Sequence, residues 1–247
     1  MIYSERYILF ADIIGFTKYI DSTVDDNRDS ELKIIAFVNL IRFMKGQYAI
    51  TTEEDTENDI SVKVLIKEKY LKDVSITQFS DSFIISREAD TENIMELILD
   101  ACYVWFWGIY FGFLFRGAIT FGKIIHNNDF VFGPGFIHAY NLENEKAIFP
   151  RIIIDNDIVD SFLANNKCIQ LIKKDEDGQY YIDTFSGMGY IHRNKSNIEH
   201  RLEQLQKLIN DGLKIEDKSV MKKYIWLQDK ITQFESKRGD INVGSYL

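Results

Sequence analysis

Proline and cysteine are both scarce, with two of each in 247 residues. Little proline means few forced breaks, so long regular elements are expected. Two cysteines, Cys102 and Cys168, cannot supply a disulfide framework, and that usage fits a reducing cytosol. Basic charge is short as well: 29 Lys+Arg against 38 Asp+Glu leaves −9 at pH 7. That balance disfavours a general nucleic-acid coat, while leaving room for a small basic pocket that takes phosphate. Met1 leads into a strand-like segment holding Glu5 and Arg6, without the basic–apolar–small order of a secretory leader, so a cytoplasmic location is expected. The one membrane-like run, Ala101–Phe115, falls short of the ~17–25 residues a span needs, and Gly108 and Gly112 interrupt it. It is expected to be a buried helix running into a buried strand, with no membrane span.

What is present is ordinary globular material, 46% hydrophobic and 27% charged, enough to bury a sizeable core. The run Tyr7–Ile14 predicts a buried strand with one acid inside it. Glu31–Met44 places Ile34, Phe37, Val38, Ile41 and Met44 on one helical face. Thr51–Asp59 is polar and acidic and reads as a solvated loop. Val74–Phe79 and Phe83–Ser86 read as a hairpin with Asp81 at its tip, followed by a helix over Ile94–Ile109. Phe113–Phe121, Phe130–Phe132, Arg151–Ile154, Ile169–Ile172 and Tyr180–Asp183 are further strand candidates, with a helix at Phe136–Glu145. Two charged helices, Asn197–Leu213 and Ser219–Gln233, close the chain. The order predicts an α+β fold with an antiparallel core and helices behind it. We expect a main domain over 1–195 and a C-terminal helical extension over 196–247.

Asp12 and Asp81 stand out because a carboxylate in an apolar strand is costly unless paired or metal-bound. If their strands are neighbours, the two carboxylates meet at one sheet edge. That pair suits Mg²⁺ or Mn²⁺, which take oxygen ligands and substrate phosphates. Spacing alone fits equally a turn-capping Asp and a strand-end Asp bonded to backbone. His126, His192 and His200 show no paired spacing, His138 reads as a packing histidine, and no Cys/His zinc pattern occurs.

The words FADIIGFT (Phe10–Thr17), FSDSF (Phe79–Phe83) and FRGAITFG (Phe115–Gly122), in this order, resemble the class III nucleotidyl cyclases, the adenylate and guanylate cyclase superfamily. The resemblance implies a palm-like, ferredoxin-like antiparallel core in which Asp12, Asp81 and the Ile13 carbonyl hold two Mg²⁺ or Mn²⁺ ions. It implies a phosphate-facing turn at Gly15, Phe16 and Thr17, and a triphosphate contact from Arg116. It also implies a head-to-tail homodimer with shared active sites, Thr77, Phe130 and Asn141 facing the metal acids of the other protomer.

The departures bear on the substrate. Purine cyclases of this family carry a Lys and an Asp that read the base, and here Thr77 and Phe130 stand in those places. An Asn and an Arg four residues apart on the next helix are replaced by Ile137 and Asn141. GPGFIHAYNLE (Gly133–Glu143), AIFPRIIID (Ala147–Asp155) and KYIWL (Lys223–Leu227) are similar to the bacterial Pycsar-type pyrimidine cyclases, which make cyclic UMP or cyclic CMP in anti-phage defence. That resemblance implies UTP or CTP as substrate, Arg151 as a candidate for the missing positive charge, and a separate effector protein that senses the product. Tyr48, at the end of the first long helix and just before the acidic loop, is a candidate to stack on the base. Thr77 is both donor and acceptor, so by itself it does not choose between uracil and cytosine. A purine cyclase with an altered pocket and a catalytically silent nucleotide-binding module are the alternative expectations.

Overall fold

The computed structural model describes residues 2–25, 28–45, 74–163, 169–191 and 195–238. Tyr48, the acidic stretch Thr51–Asp59, Cys168 and His192 lie outside the described residues. The fold is α+β. An eight-stranded sheet is built from β1 (Ser4–Ile13), β4 (Val74–Phe79), β5 (Ser82–Glu88), β6 (Phe115–His126), β7 (Val131–Phe132), β8 (Ile152–Ile154), β9 (Ile172–Lys174) and β10 (Tyr180–Ile182). Its order is β4-β5-β1-β6-β8-β10-β9, with β7 paired to β6. A two-stranded ribbon joins β2 (Val24–Asp25) to β3 (Arg28–Asp29). The pairing is antiparallel as expected, except that β8 runs parallel to β6. The expected strand at Ile169–Ile172 is corrected: Ile169–Leu171 is a single 3₁₀ turn, and pairing starts only at Ile172.

Alternation along β1 divides the two faces of the sheet. Leu9, Ala11 and Ile13 join the core beneath α2 (Glu31–Met44) and α3 (Thr91–Phe111), together with Phe83, Ile85, Leu97, Ile98, Phe115 and Ile119. Ile8 and Phe10 face the other way and pack with Ile84, Ile124 and Ala139 under α4 (Pro134–Lys146). Helix α4 rests close on the sheet because Gly135 meets Gly122; a Cβ on Gly135 would stand 2.7 Å from Ile8 Cδ1 and 2.9 Å from the Gly122 carbonyl carbon.

The apolar run expected near Ala101 belongs to α3, whose apolar stretch Asn93–Phe111 is 19 residues long, enough by length and composition to cross a bilayer. Here that surface is used in packing on two sides. One side sits on the sheet, and Trp105, Phe106, Trp107 and Ile109 pack against Phe185, Met188, Leu202, Leu205, Ile209, Leu227 and Ile231. These residues come from α6 (Thr184–Ile191), α7 (Lys195–Gly212) and α8 (Lys218–Arg238). Burying each large apolar side chain contributes roughly 1.5–3 kcal/mol, so the C-terminal helices form a second layer over α3. Two short helices were not expected, α5 (Asn156–Leu163) and α6. Each starts at an aspartate cap: Asp155 Oδ1 accepts from the Asp157 N–H at 3.3 Å, and Asp183 Oδ1 from the Ser186 N–H at 3.3 Å.

Arg151 opens β8 as a buried cation. Its guanidinium is paired with Asp175 and Asp177 of the β9–β10 turn, and Phe149, Tyr181 and Trp226 surround it with ring centroids 5.2–5.7 Å away. Asp175 also accepts from Trp226 Nε1 at 2.7 Å and from Lys230 Nζ at 2.8 Å, which ties α8 to the sheet. Arg151→Ala leaves Asp175 with Lys230, takes the cation from Asp177 and opens a gap among three rings, and is expected to cost roughly 2–5 kcal/mol. Urea denaturation monitored by far-UV circular dichroism measures that loss.

Candidate active site

The site is built where β1, β5 and β6 reach the same edge of the sheet. The register sets Asp12 opposite Ser82 on one side and Arg116 on the other. Asp81 occupies the tight turn between β4 and β5, where Ser80 takes a left-handed conformation at φ 48°. The Asp81 carbonyl accepts the Ile13 N–H at 3.2 Å, which binds the hairpin tip to the end of β1. Ser82 Oγ donates to Asp12 Oδ1 at 3.0 Å, and an Arg116 terminal nitrogen lies 3.6 Å from Asp12 Oδ2. Gly15 then turns the chain with φ 76° into α1 (Phe16–Asp21). A side chain at Gly15 would be strained by that φ although no atom obstructs it. Phe16 is half-buried, its ring centroid 5.0 Å from that of Phe37, and Thr17 is exposed.

Charge in this corner is unbalanced in an informative way. Burial and the neighbouring Asp81 push the Asp12 carboxyl up, against the Ser82 hydrogen bond and the Arg116 charge. A carboxyl raised by burial and by a neighbouring acid fits a divalent cation, whose charge would oppose both effects. Among the described residues no group of three or more His, Cys, Asp or Glu gathers. Asp12 and Asp81 would therefore be completed by backbone carbonyl, water and phosphate oxygens, a donor set that suits Mg²⁺ or Mn²⁺.

Glu143 is the residue that sequence reasoning missed. It lies on the buried face of α4, one helical turn beyond Ala139, and its Oε1 is 2.7 Å from Arg116 Nε. The N–H is not aimed along that line, so Oε1 has no true hydrogen-bond donor. Burial raises the Glu143 carboxyl to about 7 in spite of Arg116. A glutamate in register with the apolar positions of α4 was the available signal. Lys223 of α8 was also missed; burial and the Arg116 charge lower its pKa, while Asp217 and Glu143 oppose that.

The remaining expected residues lie apart from the carboxylates. Asn141 is exposed on α4, two residues and so roughly 200° around the helix from buried Glu143. Ile137 shares its exposed side, at 53%. Phe130 is 51% exposed in the turn before β7, and Thr77 lies on β4 opposite Ile84. Arg151 is buried at the start of β8, where it pairs with Asp175 and Asp177. His138 is not a packing histidine but an exposed one paired with Asp155. Asp12, Asp81, Arg116 and the Gly15 turn are brought together; Thr77, Phe130, Asn141 and Arg151 are not.

No protein-family model matches the chain, and no curated protein does. Among solved structures it is similar to the catalytic core of a rhodopsin-guanylyl cyclase with converted specificity, solved in complex with ATPαS. That likeness has 14% sequence identity and a TM-score of 0.44, and covers 73% of this chain and 95% of that one.

Glu143 gives the corner a pH dependence with a defined sign. Its folded pKa, about 7, lies above its ordinary value of 4.5. The stability it contributes is thus present below the unfolded value and lost as pH rises through the folded one. In chelator, the thermal midpoint of the wild type should fall between about pH 5 and about pH 8, and that of Glu143→Gln should fall less. Differential scanning calorimetry across the range checks this.

Proposed function

We propose that this protein is a class III nucleotidyl cyclase that converts UTP or CTP into the 3′,5′-cyclic monophosphate and pyrophosphate. The observation that carries the reading is the convergence of Asp12, Asp81 and Arg116 at one sheet edge, on the three words that resemble the family. In the reaction the ribose 3′-oxygen bonds to the α-phosphorus, the bond from that phosphorus to the β-phosphate bridging oxygen breaks, and the hydroxyl proton is lost to solvent. Mg²⁺ or Mn²⁺ bound by Asp12, Asp81 and the Ile13 carbonyl would supply neutralisation of phosphate charge and acidification of the 3′-hydroxyl.

The chain's own residues then do the positioning. Arg116 presents a guanidinium fork to triphosphate oxygens. Glu143 lies against the Nε side of that fork as an ion-pair partner, while a terminal nitrogen lies toward Asp12. Backbone N–H groups at Gly15, Phe16 and Thr17 line the turn that follows the first acid. Thr77, Phe130 and Asn141 act on the site of a second copy. Support for the homodimer comes from the exposed apolar side chains on that same face, Ile137 at 53%, Tyr140 at 45%, Phe130 at 51% and Phe132 at 47%. Within this reading the protein is cytoplasmic and makes a second messenger for anti-phage defence, sensed by a separate effector. Its domain division, catalytic over 1–195 with the C-terminal helices as an extension, belongs to the same proposal.

One observation favours a silent nucleotide-binding module instead: the exposed pair Ile137 and Asn141 brings no positive charge to the partner's site. Turnover separates the two. Incubation with each of ATP, GTP, CTP and UTP plus Mn²⁺, read by mass spectrometry, is expected to give a cyclic pyrimidine monophosphate. Asp12→Ala and Asp81→Ala should lower the rate at least about a thousandfold, since the reaction depends on charge neutralisation. A cyclic purine product would keep the cyclase and remove the pyrimidine assignment. Metal-dependent thermal stabilisation without product would favour the module. For the shared site, mixing Asp12→Ala with Asn141→Ala protein should restore part of the activity that each lacks alone, as measured on heterodimers isolated with two affinity tags.

A further inference from the structure

A buried relay of hydrogen bonds ends at Thr77 and lies outside the carboxylate corner. Arg6, Ser86, Thr77 and His126 share the α4 side of the sheet, as Ile8 and Ile84 do. Arg6 Nε donates to Ser86 Oγ at 2.8 Å, and a terminal nitrogen of Arg6 donates to the Ser86 carbonyl at 2.9 Å. Ser86 Oγ is 2.8 Å from His126 Nδ1, and His126 Nε2 is 2.9 Å from Thr77 Oγ1. These residues are far apart in the chain, with sequence separations of 80, 40 and 49 across the three links.

The donor inventory fixes the first link, and burial orders the links that follow. Arginine has donors only, so Ser86 Oγ accepts from Arg6. Ser86 is fully buried, and its own O–H has His126 Nδ1 as the acceptor within reach. His126 is buried beside the Arg6 cation, and both effects keep the imidazole neutral, its pKa lowered to about 4. With Nδ1 accepting, the single ring proton is on Nε2, which donates to Thr77 Oγ1. The Thr77 hydrogen is then left over, on a half-buried residue at the outer end of the relay. Next to it, β7 pairs Val131 with His126, and the rings of Phe130 just before the strand and Phe132 within it are exposed, where a planar base can stack.

We propose that the Arg6–Ser86–His126 relay fixes Thr77 as a hydrogen-bond donor to the incoming base and thereby selects uracil over cytosine. The inference rests on the cyclase reading above, in which Thr77 faces the base. Uracil presents a carbonyl oxygen at ring position 4, which accepts that hydrogen. Cytosine presents an amino group there, and two donors then oppose each other. An isolated threonine recognises either base by rotating its hydroxyl; one whose oxygen already accepts from Nε2–H has a single lone pair left, which favours turning its hydrogen outward to an acceptor.

Two measurements test it. Long-range ¹H–¹⁵N correlation on the full chain labelled with ¹⁵N in the histidine rings, assigned by a His126→Asn variant, should find the His126 proton on Nε2 and none on Nδ1. A proton on Nδ1, or on both nitrogens, overturns the relay, and this reading uses the wild-type protein. The second measurement is the affinity for 2′,3′-dideoxy-UTP and 2′,3′-dideoxy-CTP, which lack the reacting hydroxyl. The wild type should favour the uridine analogue. Thr77→Val should weaken that analogue about tenfold, the worth of one hydrogen bond, and bring the ratio near one, while Thr77→Ser should preserve it. A wild type that prefers the cytidine analogue, or a Thr77→Val ratio equal to that of the wild type, overturns the proposal. Failure of the cyclase reading looks different: Thr77-dependent preference for uracil with no cyclic product from any triphosphate sustains the donor role and removes the enzyme.

Discussion

The antiparallel pairing of β1 with both β5 and β6 is the constraint on which everything else in the molecule depends. β1 is hydrogen-bonded on both sides for nearly its whole length, from Arg6 to Asp12 against β5 and from Ser4 to Ile13 against β6. Side chains alternate along a strand, so a slip of one residue would exchange its two faces. Asp12 would then point into the core beneath α3, and an apolar neighbour, Ala11 or Ile13, would stand beside Arg116 in its place. The cores on the two sides prevent that slip, because Leu9 and Ile8 are each fully buried, against different helices. A carboxylate at the strand end is therefore held by apolar packing several residues away from it.

Helix α4 converts that sheet register into a charged corner. The Gly122–Gly135 contact lets the helix lie close, Ala139 packs into the sheet, and one turn later Glu143 reaches Arg116. The same helix leaves Ile137, Tyr140 and Asn141 exposed. One face thus serves the sheet and the arginine, while the opposite face is available to another molecule. The division follows from helical periodicity alone, since the residues that alternate between the two roles are neighbours in sequence.

The C-terminal helices contribute in two ways. Their apolar faces cover Trp105, Phe106 and Trp107 on α3, which otherwise would expose a wide aromatic surface. Helix α8 also crosses to the far end of the sheet, where Trp226 packs with Ala118 and Leu142 and donates to Asp175. Arg151 is the centre of that junction, buried among rings and paired with two aspartates. A cation so enclosed organises the packing of rings and acids around it.

Where a signal was local, the amino-acid order by itself determined the outcome. The strand holding Asp12, the hairpin holding Asp81, the strand holding Arg116 and the long apolar helix over Ile94–Ile109 were legible because each is a largely apolar run bounded by turn or charged residues. The short helices α5 and α6 were not, since eight residues offer little periodicity and their starts depend on single aspartate caps. The partners of Arg151, the burial of Glu143 against Arg116 and the relay from Arg6 to Thr77 were illegible for a different reason. Each joins residues distant in the chain, and the proton order of the relay depends on burial that no one of its members displays in sequence. Which acids and which arginine the molecule has was settled by the sequence. Which of its cations are free, and which way a threonine hydroxyl is turned, was decided only when the sheet closed around them and water was excluded.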